Sequence, residues 1–426
     1  MSKLALLGGT PVIDGDLPPY PSMGEAEENA VRDVVRSGCL SGFFGSAGPE
    51  FLGGPKVREF ETAWSKSFGV KHAVTVNSAT SGLMAAMGAI GVSPGDEVIV
   101  PPWTMSATAM APLIYGGIPV FADIEDQTFC IDPDAVRSAI TAKTRAIVAV
   151  NLFGHPAPLT ELRAIADEHG LYLIEDDAQA PLADDNRHGS GSVGHIGVAS
   201  LNFHKHIHTG EGGVCVTDDD DLACRLRLIR NHGENATEEL GGGEIANIVG
   251  FNLRMTELSA AVGLVQLANI EEHVGRREAL AQRLSDGTRD LPGWTVPVVR
   301  EGCRHNYYVW NVRYDADVVG VSRELFSKAL TAEGFPHAVG YVPPLYRLPL
   351  FRERKAIGRD GFPFSLGERS YEDGLCPVAE RLHEREAVLF EPCAYDADDD
   401  LAGRLVEAIR KVYDNRDQLN AENGES

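Results

Sequence analysis

In the stretch Ser200-Leu-Asn-Phe-His-Lys205-His-Ile-His-Thr-Gly-Glu-Gly-Gly213, one lysine stands between an apolar run and a glycine turn. A lysine drawn into a protein interior loses solvation of its charged form, so its pKa falls and its amine becomes able to attack an aldehyde and form a Schiff base. A lone loop lysine is more often simply solvated. Two groups upstream bear on the choice.

The first is Glu175-Asp176-Asp177-Ala178-Gln179, which follows the apolar run Leu171-Tyr-Leu-Ile174. A carboxylate emerging there could face a bound cation, such as the protonated ring nitrogen of pyridoxal 5'-phosphate, which must stay protonated to accept electrons from a developing carbanion. Gln179 is then spaced to touch the ring or its hydroxyl. The same acids could merely cap a following helix. The second group is Val76-Asn-Ser-Ala-Thr80-Ser-Gly-Leu83, a strand end running into a helix start rich in hydroxyls. Free amides and the helix dipole favour phosphate at such a point, with Thr80, the amide of Ala79 and Ser200 as candidate ligands. An ordinary N-cap has the same composition.

These groups need elements that hold them together. From about residue 70 to 217, β-branched runs (HAVTVN, EVIVP, IPVFAD, RAIVAVN, LYLIED, VASLNF, GVCVTD) alternate with longer amphipathic segments. That alternation predicts an α/β domain with a mostly parallel seven-stranded sheet flanked by helices. Such sheets bind ligands beyond the carboxyl ends of their strands, where the polar residues above fall. Residues 41–55, with their repeated Gly and Pro, read as a loop, an active-site lip or a dimer contact. Lys56 to Phe68 reads as a helix, and Met255 to Leu291 as one or two long helices. The pattern then changes to a smaller C-terminal α+β domain. We divide the chain into a large domain over 1–275 that includes the N-terminal segment, a small domain over 276–413, and a polar tail over 414–426 expected to be disordered.

With 62 acidic against 38 basic residues and a net charge of -24, the chain lacks the basic clusters that nucleic acid or an anionic membrane requires. No apolar run approaches the length of a membrane span, and the N-terminus makes a poor signal peptide. A cytoplasmic location is expected. The seven cysteines are scattered, without a C-x-x-C pair, as reduced packing residues would be. His204, His206 and His208 alternate with period two, which in an extended segment would put them on one face. A metal site there would need a further ligand that the sequence does not place, so no metal is expected.

Asp176-x-x-Gln179, Ser200-x-x-x-x-Lys205-x-x-x-x-Gly-Glu-Gly-Gly213 and Gly250-Phe-Asn252-Leu-Arg254-Met-Thr-Glu257-Leu occur in one chain. Together they give it a resemblance to the DegT/DnrJ/EryC1/StrS sugar aminotransferases, over nearly the whole length. The resemblance implies fold type I, the aspartate aminotransferase fold, with pyridoxal 5'-phosphate as cofactor. It further implies that Lys205 forms the Schiff base and Asp176 pairs with the ring nitrogen. Gln179 and Met105 would contact the ring, and Ala79, Thr80 and Ser200 would hold the phosphate. Asn252 would reach the cofactor phosphate of a neighbouring subunit, giving a homodimer with shared active sites. Arg254 would serve the donor carboxylate or fix its loop by an ion pair, and Trp103, Tyr341 and Tyr346 would line the substrate side.

The implied reaction moves an amino group from L-glutamate or L-glutamine to a keto sugar or keto cyclitol in amino-sugar or antibiotic biosynthesis. Related deoxysugar dehydratases carry histidine at the lysine position, whereas here it is Lys205. A catalytically silent cofactor- or sugar-binding regulator is a further reading, which the intact lysine and aspartate disfavour. The chain departs from the family pattern at Met105, where an aromatic residue is common, at Ala79 for glycine, and at Tyr346 for histidine.

Overall fold

The computed structural model describes residues 2–46, 48–234 and 245–422. Seven strands form the central sheet: β1 (His72–Val76), β2 (Glu97–Val100), β3 (Ile118–Phe121), β4 (Thr144–Val150), β5 (Tyr172–Asp176), β6 (Ile196–Ser200) and β7 (Gly213–Thr217). Their order is β1-β7-β6-β5-β4-β2-β3. Neighbours from β6 to β3 pair in parallel, and only β7 runs antiparallel to both of its partners. β4 reads as a continuous apolar run because helices cover both faces of the sheet, so alternation has no solvent side to mark. This is the architecture of fold type I pyridoxal phosphate transferases.

The antiparallel β7 brings two distant chain segments to one point. Gly213, its first residue, faces both Val76 at the end of β1 and Ser200 at the end of β6. All the strands that precede candidate site residues therefore end on the same side of the sheet.

Among the helices that cover the sheet, α1 (Pro55–Phe68) begins on a proline, whose missing N–H costs nothing at that position. Its next two amides donate to the carboxylate of Glu257, at 2.7 and 3.1 Å. Glu257 thus caps the helix that leaves the glycine-rich loop, and a Cβ on Gly54 would lie 2.5 Å from its carboxyl carbon. α2 (Ala79–Ala89) follows β1 directly. The long helical stretch expected over Met255 to Leu291 is two helices, α3 (Glu257–Ala268) and α4 (Ile270–Thr288).

A second, smaller sheet comprises β8 (Trp294–Thr295), β9 (Trp310–Tyr314), β10 (Ala338–Val339) and β11 (Ala387–Phe390), in the order β8-β9-β11-β10 and antiparallel throughout. Against it packs α5 (Asp399–Asp414), whose Leu401, Leu405, Ile409 and Val412 recur every three or four residues on one buried face. Each such side chain contributes about 1.5–3 kcal/mol by burial. Leu4 and Ile13 join this C-terminal core, so the N-terminal segment packs against the small sheet. Leu345, Phe351 and Tyr371 instead pack into the core of the large one. Residues Asp417–Glu422, where polarity led to an expectation of disorder, form a short helix, because Leu419 docks into the small core. Residues 423–426 of that tail, and Ala47 of the glycine-rich loop, lie outside the described residues.

Candidate active site

Lys205 leaves β6 on a tight turn, its amide donating to the carbonyl of Asn202 at 3.0 Å. Its surface is only partly covered, yet protein atoms surround the amine itself. Desolvation lowers its pKa to about 8, against the opposing pull of Asp176. The ammonium nitrogen lies 4.2 Å from the centre of the Tyr308 ring. A desolvated lysine near neutrality is the chemistry a Schiff base requires.

Asp176 ends β5 and is buried. One carboxylate oxygen accepts from Thr108 Oγ1 at 2.7 Å, the other from the amide of Ala178 at 3.3 Å. Burial raises its pKa, which a cation beside it would reverse. The three consecutive acids divide because successive strand residues face opposite ways. Glu175 accepts from the amides of Gly191, Val193 and Gly194, at 2.6, 2.8 and 2.6 Å, and so anchors that turn. Asp177 accepts from Asn151 Nδ2 at 2.9 Å, and burial holds its pKa well above the usual carboxylate range. Neither begins a helix, so the capping alternative does not apply to Asp176.

Gln179 has both ends of its amide engaged. Its Oε1 accepts from the amide of Phe153 at 2.7 Å, and its Nε2 donates to the Tyr341 hydroxyl at 3.2 Å.

Ser78 caps α2, its hydroxyl accepting from the amide of Ser81 at 3.1 Å. The amides of Ala79 and Thr80 therefore remain without intrahelical partners, and Thr80 is exposed. A Cβ on Gly213 would sit 2.7 Å from the Ala79 nitrogen, so the glycine is what lets β7 pass beside this helix start. Ser200 faces Gly213 across the strand pair, which puts its hydroxyl at the same end of the sheet. Free amides at a helix N-terminus beside two hydroxyls fit a phosphate, a buried carboxylate that makes no ion pair among the described residues fits a pyridinium, and the amine fits an aldehyde. The residues present therefore suit pyridoxal 5'-phosphate.

Several expected residues stand elsewhere. Trp103 is fully buried, donates from its indole to the Val342 carbonyl at 2.8 Å, and packs edge-on against Phe129, Phe153 and Tyr341, so it offers no surface to a substrate. Tyr346 is likewise buried, against Phe121, with its hydroxyl on Glu380. Both are large aromatics for which core packing outweighs exposure. Arg254 makes no ion pair among the described residues; its Nε and one Nη donate to Asn231 Oδ1 at 2.8 and 2.5 Å. A neutral amide, not a carboxylate, orients it. Met105 and Asn252 are exposed. His204, His206 and His208 lie outside any strand and do not share one face: His204 is exposed, whereas His206 and His208 are buried, His206 with Nε2 3.0 Å from the Asn306 carbonyl. No group of three or more His, Cys, Asp or Glu residues among those described could hold a metal ion.

Sequence reasoning missed Thr108, Tyr308 and the Phe153 amide. Thr108 lies in a short helix, Ala107–Met110, whose composition carries no polar signal, and a backbone amide leaves no signal at all.

Fold and pocket together define an enzyme: a pyridoxal 5'-phosphate-dependent transaminase. Residues 21–391 match the model of the DegT/DnrJ/EryC1/StrS aminotransferase family, and the chain belongs to that family. It is 34% identical over 440 residues to the L-glutamine:2-deoxy-scyllo-inosose aminotransferase of Streptomyces kanamyceticus, covering 99% of each chain. It is 31% identical to the spore coat polysaccharide biosynthesis protein SpsC of Bacillus subtilis, covering 94% of this chain and 98% of that one. The crystal structure of an aminotransferase from Psychrobacter cryohalolentis superposes with a TM-score of 0.82 at 29% identity, covering 94% and 99%.

Proposed function

We propose that this enzyme transfers the amino group of L-glutamine or L-glutamate to the ketone of a polyhydroxylated ring, a keto cyclitol before a nucleotide-linked keto sugar. The observation that carries amino transfer is the pairing of a desolvated Lys205 amine with buried Asp176 in one pocket. The acceptor class is supported by the relative from Streptomyces kanamyceticus, similar over its full length and named for a cyclitol ketone.

When bound, the cofactor supplies an aldehyde and an electron-accepting ring. Asp176, held by Thr108, would keep the proton on the ring nitrogen. Thr80, Ser200 and the amides of Ala79 and Thr80 would take the phosphate. The Lys205 nitrogen would hold the cofactor and, once displaced by the amino donor, would carry a proton off the donor carbon and deliver it to the former aldehyde carbon. Met105 and Asn252, both exposed, would respectively cover the ring and serve a second copy of the chain in a homodimer. Four buried cysteines are free thiols, the state that a cytoplasmic setting preserves.

Incubation with pyridoxal phosphate, L-glutamine and a panel of keto cyclitols and nucleotide-linked keto sugars tests this reading. Amination of the cyclitol ketone, lost by about a thousandfold or more in Lys205→Ala, is the expected result. Unimpaired turnover by that variant removes the mechanism, and acceptance of nucleotide-linked sugars alone removes the cyclitol acceptor.

A further inference from the structure

Both hydrogen-bond partners of Gln179 sit on strained backbone. Phe153 has φ 60° and Tyr341 has φ 52°, in the left-handed region that bulky residues avoid. Such conformations persist only where surrounding contacts impose them. For Phe153 these are the Val309 amide, which donates to its carbonyl at 3.1 Å, and the tight Gly154 turn, where a Cβ would meet Asn306 Oδ1 at 2.0 Å.

For Tyr341 they form a strap. The Gly340 amide donates to the Ala387 carbonyl at 3.1 Å, and the Gly340 carbonyl meets His383 Nδ1. The Val342 carbonyl accepts from the Trp103 indole at 2.8 Å, and the Leu345 amide donates to the Pro102 carbonyl at 2.7 Å. Thus Trp103, which touches no substrate, fixes the segment that carries Tyr341. The Tyr341 ring also packs edge-on to Phe153, with centroids 4.9 Å apart, so the two strained residues brace each other around one glutamine.

An amide has one end that accepts and one that donates, and the Phe153 N–H can satisfy only the accepting end. Nε2 must therefore face the other way, where one of its hydrogens goes to Tyr341. The second hydrogen has no acceptor among the described residues. We propose that Tyr341 is a positioning residue which, with the Phe153 amide, locks Gln179 as an obligatory hydrogen-bond donor toward the phenolic oxygen of the bound cofactor. The inference rests on the cofactor reading of the same pocket. A donor at that oxygen favours its anionic form, so the proton shared within the bound cofactor is lost at lower pH than it would be without the donor.

The test is the pH titration of the visible absorption band of the cofactor on Lys205, which a purely structural residue would not move. Tyr341→Phe keeps the ring and its packing but frees the glutamine amide; its midpoint is expected to rise by about half to one unit, a three- to tenfold change in the equilibrium. Gln179→Glu preserves the bond from Phe153 and replaces the donor with an acceptor, and its midpoint is expected to rise further, by more than about tenfold. Tyr346→Phe, whose hydroxyl bonds Glu380 in the core, is expected to titrate like the parent. Midpoints at the parent value in both Tyr341→Phe and Gln179→Glu overturn the proposal. A parent protein that shows no visible band with the cofactor overturns the cofactor reading instead.

Discussion

Thr108 Oγ1 donates to Asp176 Oδ2 at 2.7 Å, across 68 residues of sequence, and both groups are buried. The bond is charge-assisted when the carboxylate is ionised, and such bonds contribute about 1.5–3 kcal/mol. Thr108→Val keeps the shape and removes the donor. Burial then acts on Asp176 less opposed, its pKa rises further, and the ring nitrogen holds its proton less firmly. Transamination is expected to fall about tenfold or more with the fold intact, measured as the rate of the first half-reaction with L-glutamine alone. An unchanged rate would show that the carboxylate needs no such anchor.

Lys205 must be neutral to attack, and its pKa is lowered to about 8. The rate at which cofactor-free protein captures pyridoxal phosphate should therefore climb tenfold per pH unit below about 8 and level off above it. The Tyr308 ring at 4.2 Å favours the charged form by a cation–π contact of about 0.5–2 kcal/mol. Tyr308→Leu is expected to move that break to lower pH. A break near the ordinary lysine value in the parent would contradict the desolvated environment.

Gly213 is the crossing point of β1, β6 and β7 beside the start of α2. In Gly213→Ala the added Cβ, 2.7 Å from the Ala79 nitrogen, forces strand and helix apart. A loss of about 1–3 kcal/mol in stability is expected, with weaker binding of pyridoxal phosphate in equilibrium dialysis. Gly275→Ala is the control: in α4, with open space where its Cβ would lie, it should leave binding alone and gain up to about 1 kcal/mol.

Arg230 is fully buried; one of its Nη atoms bonds Glu61 and, at 3.0 Å, the Thr75 carbonyl, and its guanidinium lies over Phe43 of the glycine-rich loop. Glu61 also accepts from the amide and hydroxyl of Thr75, each at 2.9 Å. Glu61→Ala would leave a buried cation uncompensated, at a cost of about 3–5 kcal/mol in urea unfolding. Glu61→Gln retains an acceptor and should cost less.

The sequence by itself determined the sheet and the order of its functional ends. Ala79 and Thr80, Asp176 and Ser200 each fall just after an apolar β-branched run, and Lys205 falls on the turn beyond. Strand period and turn chemistry are local properties that a short window of residues contains. It also carried the family, because each of the three motifs is a contiguous run of residues. Tertiary structure decided which aromatics reach the pocket. Trp103 and Tyr346 read like surface for a substrate and are both core, Trp103 also anchoring the strap, while Tyr308 and Thr108 were brought in from distant segments. It likewise divided Glu175, Asp176 and Asp177 among an anchored turn, the site and a buried amide. The orientation of Gln179 depends on Tyr341, 162 residues away, and on a main-chain N–H. Contacts of that kind join groups by packing across the fold, and no local pattern of residue types records them.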